Sequence, residues 1–121
     1  MSGEARTLAG RTVYVCDAAG PKLDGERAAT DIIGDSYACH PAVVAIPVAR
    51  LSPDFLTLSN RIAGNVIQKF VNYGVAVAFV GDVSAAVAAS NALRDFVRES
   101  NRGRHVWFVA DMAELEAKLG G

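Results

Sequence analysis

Residues 75–82 read Val75-Ala76-Val77-Ala78-Phe79-Val80-Gly81-Asp82, six apolar residues followed at once by a glycine and a carboxylate. A half-wet strand would alternate apolar and polar positions, and this run does not. It therefore reads as a strand covered on both faces, which is the signature of a parallel sheet in an α/β protein. Two further runs have the same character, Ala42 to Val48 and Val106 to Val109, and Arg11 to Cys16 fits an opening strand with Val13, Tyr14 and Val15 at its centre.

Between the runs the apolar spacing becomes helical. The clearest segment begins at Leu51-Ser52-Pro53-Asp54, where Ser52 can cap, Pro53 suits a first helical position and Asp54 complements the positive helix end. Phe55, Leu58, Ile62, Val66 and Phe70 follow at three- and four-residue intervals, and Gly74 supplies a stop, so one long helix is expected over this stretch. A second continuous helix is expected from Ser84 to Asn101, with Val87, Leu93, Phe96 and Val97 facing inward and Gly103 ending it. Shorter helices fit Gly25 to Ser36 and Asp111 to Leu119, the latter opened by Asp111 and Glu114 as a capping-box pair.

The order is then βαβαβαβα, which predicts an α/β fold: one layered domain, 1–121, around a mainly parallel sheet of four to five strands with helices on both faces. Residues 1–9 are read as a flexible N-terminal segment. Pro47 cannot donate to a ladder, so the second strand ends near Ile46, bulges, or lies at an edge; an early end, with Pro47 to Leu51 as a loop, is the expectation.

Composition bounds the function. A chain of 121 residues suits one core. Its 12 Lys and Arg against 13 Asp and Glu give a net charge of -1, which argues against nucleic acid and against anionic membrane surfaces as partners. Two cysteines, Cys16 and Cys39, make neither a disulfide framework nor a zinc site, and no run has the length of a signal peptide or a membrane span, so a cytoplasmic protein is expected. An apolar content of 51% implies either a sheet covered on both faces or apolar surface buried in a partner, and a homodimer is expected.

Ligands of open α/β sheets gather beyond the carboxyl ends of the strands. That rule selects Asp17, Arg50, Ser52, Asp82 and Asp111. In one reading they form a polar site for a small molecule, with Arg50 and the helix start at Ser52 holding an anion and a carboxylate as general base. In the other, Ser52, Asp82 (or Ser84) and Asp111 are helix caps, each worth about 1 kcal/mol. Cys39-His40 and His105 have no partners at catalytic or ligand spacing, and Arg98, Arg102 and Arg104 are interleaved with Asp95 and Glu99. Trp107 and Phe108 read as core. No P-loop, GxGxxG, HExxH or CxxC occurs, so neither metal nor cofactor is expected.

The stretches Asp31-Ile32-Ile33-Gly34, Leu51-Ser52-Pro53-Asp54-Phe55, Gln68-Lys69-Phe70-Val71-Asn72-Tyr73, Gly81-Asp82-Val83-Ser84 and Leu93-Arg94-Asp95-Phe96-Val97, running into Glu99-Ser100-Asn101-Arg102-Gly103, resemble a bacterial family catalogued as domain of unknown function 4180. The resemblance covers nearly the whole chain and implies no activity. In the order of its elements the chain is also similar to the STAS domains of anti-sigma-factor antagonists. Those are non-enzymatic switches in which a phosphorylated serine at the start of the helix after the second strand controls partner binding. That resemblance implies a regulatory or protein-interaction module rather than an enzyme, with Ser52 at the position of the phosphorylated serine and Arg50 two residues away.

Overall fold

A computed structural model describes residues 3–52, 54–57 and 61–120. Five strands form one sheet in sequence order: β1 (Gly3–Leu8), β2 (Arg11–Cys16), β3 (Val43–Pro47), β4 (Ala76–Val80) and β5 (Val106–Val109). The last four run parallel and β1 is antiparallel to β2, which makes this a layered, mainly parallel α/β domain. The helices are α1 (Glu26–Ser36), α2 (Ile62–Asn72), α3 (Ser84–Ala89), α4 (Asn91–Arg102) and α5 (Met112–Gly120). Single 3₁₀ turns occupy Tyr37–Cys39 and Val48–Arg50.

Parallel strands taken in sequence order, joined by crossovers of one hand, carry all their connecting helices on the same face. The core shows this division. Ile32 and Ile33 of α1, Val66 and Phe70 of α2, and Phe96 of α4 pack with Tyr14, Val44, Ile46, Val77, Phe79 and Phe108. Phe79 is the hub, with ring centroids 5.3 Å from Phe55 and 5.0 Å from Phe108. On the other face Val13, Val43, Ala45, Ala78 and Val109 meet Leu115 and Leu119 of α5 alone. Helices therefore lie on both faces, as expected; among the described residues the second face is covered by α5, which follows the last strand, where no crossover constrains it.

Four expectations need correction. The segment read as a flexible N-terminus holds β1, all six residues of which pair with β2. Its partner loop is the two-residue turn Ala9-Gly10, with φ of 51° and 78°, the positive values of a type I′ hairpin. An alanine there gives little sequence signal for such a turn. The helix expected from Ser52 begins only at Ile62, after Arg61 takes a left-handed φ of 66°; Pro53 and Leu58 lie outside the described residues. Phe55 still reaches the core, because the Ser52 carbonyl and hydroxyl both accept from its N–H and close a turn. The expected helix 84–101 is two helices, broken at Ser90, whose extended backbone lets its hydroxyl accept from Leu93 N–H and start α4 afresh. Finally, β3 is central and keeps Pro47 as its last residue opposite Val80, where the ladder is ending and the missing donor costs little.

Candidate functional site: the loop clamp beyond β2 and β3

Because β2 and β3 are parallel neighbours, the loop after β2 and the turn after β3 emerge side by side. They are stitched together by backbone. Leu23 N–H donates to Arg50 O (2.7 Å), Leu23 and Leu51 form a parallel bridge, and Lys22 Nζ donates to Ala49 O (2.6 Å).

Arg50 completes the stitch from beneath. It is only 3% exposed, so its guanidinium needs acceptors in place of water. Backbone carbonyls supply them: Nε donates to Pro21 O at 2.7 Å and Nη1 to Asp17 O at 3.2 Å. Gly20 lets the loop lie this close, since a Cβ there would stand 2.6 Å from the Arg50 Cζ. Cys16, the last residue of β2, is buried beside the clamp. Burial pushes its thiol up to about 11 despite the pull of Arg50, with Asp35 pushing the same way as burial. The site therefore holds a neutral thiol and no activated nucleophile at that position.

Above the clamp lies a cleft of about 730 Å³ whose lining includes Asp17, Gly20, Asp31, Asp35 and Arg50. Asp31 and Asp35 are one helical turn apart on α1, both exposed. Asp17 spends one carboxylate oxygen on Ala19 N–H (2.9 Å). Three carboxylates around one cationic floor make an opening that suits amine or hydroxyl groups better than anions. Of the five residues selected from the sequence, the structure brings Asp17 and Arg50 together here, and adds Asp31 and Asp35. These two were not singled out as site residues. Their signal was present in the i, i+4 spacing on a helix whose Ile32 and Ile33 turn inward, which leaves Asp31 and Asp35 on the side next to the β2 loop.

The other three lie apart from the cleft. Ser52 is half-buried in a separate groove of about 460 Å³, lined by Leu51, Leu56, Ala86, Ala89 and Leu93. The helix N-terminus that could have met a phosphate on Ser52 starts ten residues later, at Ile62. Asp82 Oδ1 accepts from Ser84 N–H at 2.8 Å, and the Ser84 hydroxyl followed by that N–H holds its carboxyl below the ordinary range. Of the expected capping box, the Asp111 half forms, with Asp111 Oδ1 accepting from Glu114 N–H (2.9 Å), whereas Glu114 Oε1 accepts from Ala110 N–H (3.0 Å), one residue before the cap, instead of from Asp111 N–H.

Cys39 donates to Ser36 O (3.3 Å), while the ring of the exposed His40 lies against Tyr37. The His105 carbonyl accepts from Val77 N–H. Arg94 and Arg98 both approach Asp95, and Trp107 packs on the α5 face, with Nε1 donating to Gly103 O (2.9 Å). Among the described residues no group of three His, Cys, Asp or Glu is placed to hold a metal ion, and no helix is long and apolar enough to cross a membrane.

These features define a small α/β domain with a buried arginine clamp beneath an acidic cleft. Comparison with protein families matches residues 8–119 to Domain of unknown function (DUF4180), and the chain belongs to that family. Neither the curated proteins nor the solved structures give a match.

Proposed function

We propose that this domain is a non-catalytic module that acts by binding protein, including copies of itself, in the manner implied by its STAS-like element order. One observation carries the reading: the polar groups at the strand ends are spent on the chain's own backbone. Arg50 holds the carbonyls of Asp17 and Pro21, Ser52 holds Phe55 N–H, Asp82 holds Ser84 N–H and Asp111 holds Glu114 N–H. These bonds take one oxygen of each carboxylate and two of the five N–H donors of the arginine, so part of the capacity that a general base or an anion site would draw on is already engaged by the fold. The neutral Cys16 thiol fits the same pattern.

A second reading has one observation in its favour, the cleft over Arg50 with Asp17, Asp31 and Asp35 on its walls. It would make the domain a receptor for a small amine or polyol. Thermal unfolding of the purified chain in the presence of millimolar polyamines, amino acids, sugars and nucleotides separates the two. The module reading expects no saturable rise in Tm. A saturable rise that disappears in Asp31→Asn would overturn it in favour of the receptor.

A further inference from the structure

The two edges of the sheet are finished differently. On β5 the outward N–H of Phe108 is taken by Asn101 Oδ1 at 2.7 Å, and the next outward donor, Ala110 N–H, by Glu114 Oε1 at 3.0 Å. Side chains from α4 and α5 thus close that edge to another strand. On the opposite side β1 is the terminal strand of the sheet, and its six residues run from an intermediate Gly3 through four exposed positions to an intermediate Leu8.

The register of the hairpin determines which groups of β1 remain unpaired. Leu8 pairs with Arg11 across the two-residue turn, Arg6 with Val13 and Glu4 with Val15. In a hairpin of this type the closing pair exchanges both backbone hydrogen bonds, and such pairs recur at every second residue. Leu8, Arg6 and Glu4 therefore turn their N–H and C=O groups toward β2. Gly3, Ala5 and Thr7 turn theirs outward.

We infer that β1 pairs antiparallel with β1 of a second copy, centred on Ala5, to give a two-fold dimer with a continuous ten-stranded sheet. This deepens the reading of the domain as a protein-binding module and rests on it. Centring on Ala5 brings the outward backbone groups of Ala5 face to face and sets Gly3 opposite the partner's Thr7. The same register sets Glu4 opposite the partner's Arg6, and Arg6 opposite the partner's Glu4. These are non-hydrogen-bonded positions, where facing Cα atoms come within about 4.5 Å and side chains meet most closely. In the single chain Glu4 and Arg6 already lie on one face of β1 with Arg6 Nη2 3.0 Å from Glu4 Oε1, both still exposed. The segment is thus self-complementary in charge about its own centre, as a two-fold interface requires. The face toward the helices presents only the small side chains Ala5 and Thr7 beside Gly3, so α1 meets no bulk from the second copy.

Sedimentation velocity of the full chain, from low micromolar to a few hundred micromolar, reads the association. The wild type dimerises. The charge reversals E4R and R6E, each of which places like charges opposite one another, are expected to weaken dimerisation roughly tenfold, and mixing the two restores a heterodimer in which every pair is again opposite. Ala5→Pro removes an outward N–H from both copies and is expected to weaken it by roughly tenfold or more while far-UV circular dichroism stays native. A wild type that remains monomeric, a dimer that ignores both reversals, or a mixture that fails to pair would each overturn the inference. A monomeric wild type would also remove self-association from the module reading and leave it only other proteins as partners, whereas the choice between module and small-molecule receptor is decided separately by the ligand-dependent Tm and Asp31→Asn.

Discussion

Replacing Arg50 by Met tests what the buried guanidinium is for. The side chains are similar in volume, so the change removes donors and charge with little loss of packing. Two hydrogen bonds disappear, Nε to Pro21 O (2.7 Å) and Nη1 to Asp17 O (3.2 Å). The consequences differ for the two acceptors. Asp17 O keeps a bond from Gly20 N–H at 3.2 Å, whereas Pro21 O loses its donor under the loop. Pro21 is exposed and its bond to Arg50 part-buried, so water can partly replace the lost donor; each of the two lost charge-assisted bonds then costs about 1 kcal/mol. The expected loss is therefore about 2 kcal/mol, a sizeable share of the roughly 5–15 kcal/mol that holds a domain together. For a chain of this size that is a fall in Tm of roughly 6–10 °C.

Urea unfolding at unchanged slope is the assay, with Arg50→Lys as a companion that keeps the charge but cannot bridge both carbonyls and should lose less. Gly20→Ala should cost about 1–2 kcal/mol alone, by driving a Cβ into the guanidinium, and much less on the Arg50→Met background. An Arg50→Met protein as stable as the wild type, or more so, would refute the clamp. It would mean that a buried charge is being kept at a cost in stability, which is how an arginine reserved for a ligand behaves.

Other consequences of the structure can be measured as directly. Because burial raises the Cys16 thiol from 9.0 to about 11, the stability this protects is complete below about pH 9 and is lost as pH rises through about 11; wild type should lose on the order of 2–3 kcal/mol over that window relative to Cys16→Ala. Ala9→Asn, at a φ of 51° that asparagine tolerates better than alanine, should raise the urea midpoint by the equivalent of about 0.5–1 kcal/mol. Asn101→Leu withdraws the acceptor from Phe108 N–H and should cost about 1–2 kcal/mol while producing concentration-dependent light scattering, since the β5 edge is then open.

The parallel sheet was legible because its central strands are buried on both faces and so are written as unbroken apolar runs: Val43, Val44, Ala45 and Ile46 are all below 2% exposed. Strand β1 was not, since an edge strand exposed at Glu4, Ala5, Arg6 and Thr7 buries too little to leave a pattern. The misplaced start of the helix after β3 has a different origin. Phe55 and Ile62 fit a helical stripe, but Phe55 enters the core from a turn closed by Ser52, and periodicity cannot tell a side chain delivered by a helix from one delivered by a turn. Serine proved ambiguous in the same way: Ser52 reads as a cap and closes a turn, whereas Ser90 sits inside an apparently continuous helix and is the cap that divides it.

The same ambiguity governs the candidate site. Residues just past the carboxyl ends of parallel strands are where ligands bind, and they are also where helices must be capped and loops anchored. Asp111 meets the second demand as the cap that sequence spacing suggested, three residues before Glu114, while Asp82 does not cap: Val83 holds the N-cap position of α3 and Asp82 Oδ1 closes a two-residue turn onto Ser84 N–H ahead of it. Arg50 meets it through bonds to Pro21 and Asp17, 29 and 33 residues away, and no local pattern could have announced them. Long-range anchoring of this kind has a physical consequence for function. A guanidinium bonded to the β2 loop fixes the position of that loop beside the α1 face carrying Asp31 and Asp35, so the floor of the cleft is set by a bond network that closes over long sequence separations. A partner that leaves the network intact can meet the domain only from outside. The sheet's unfinished edge at β1, with its self-complementary Glu4 and Arg6, offers such a surface without disturbing the clamp.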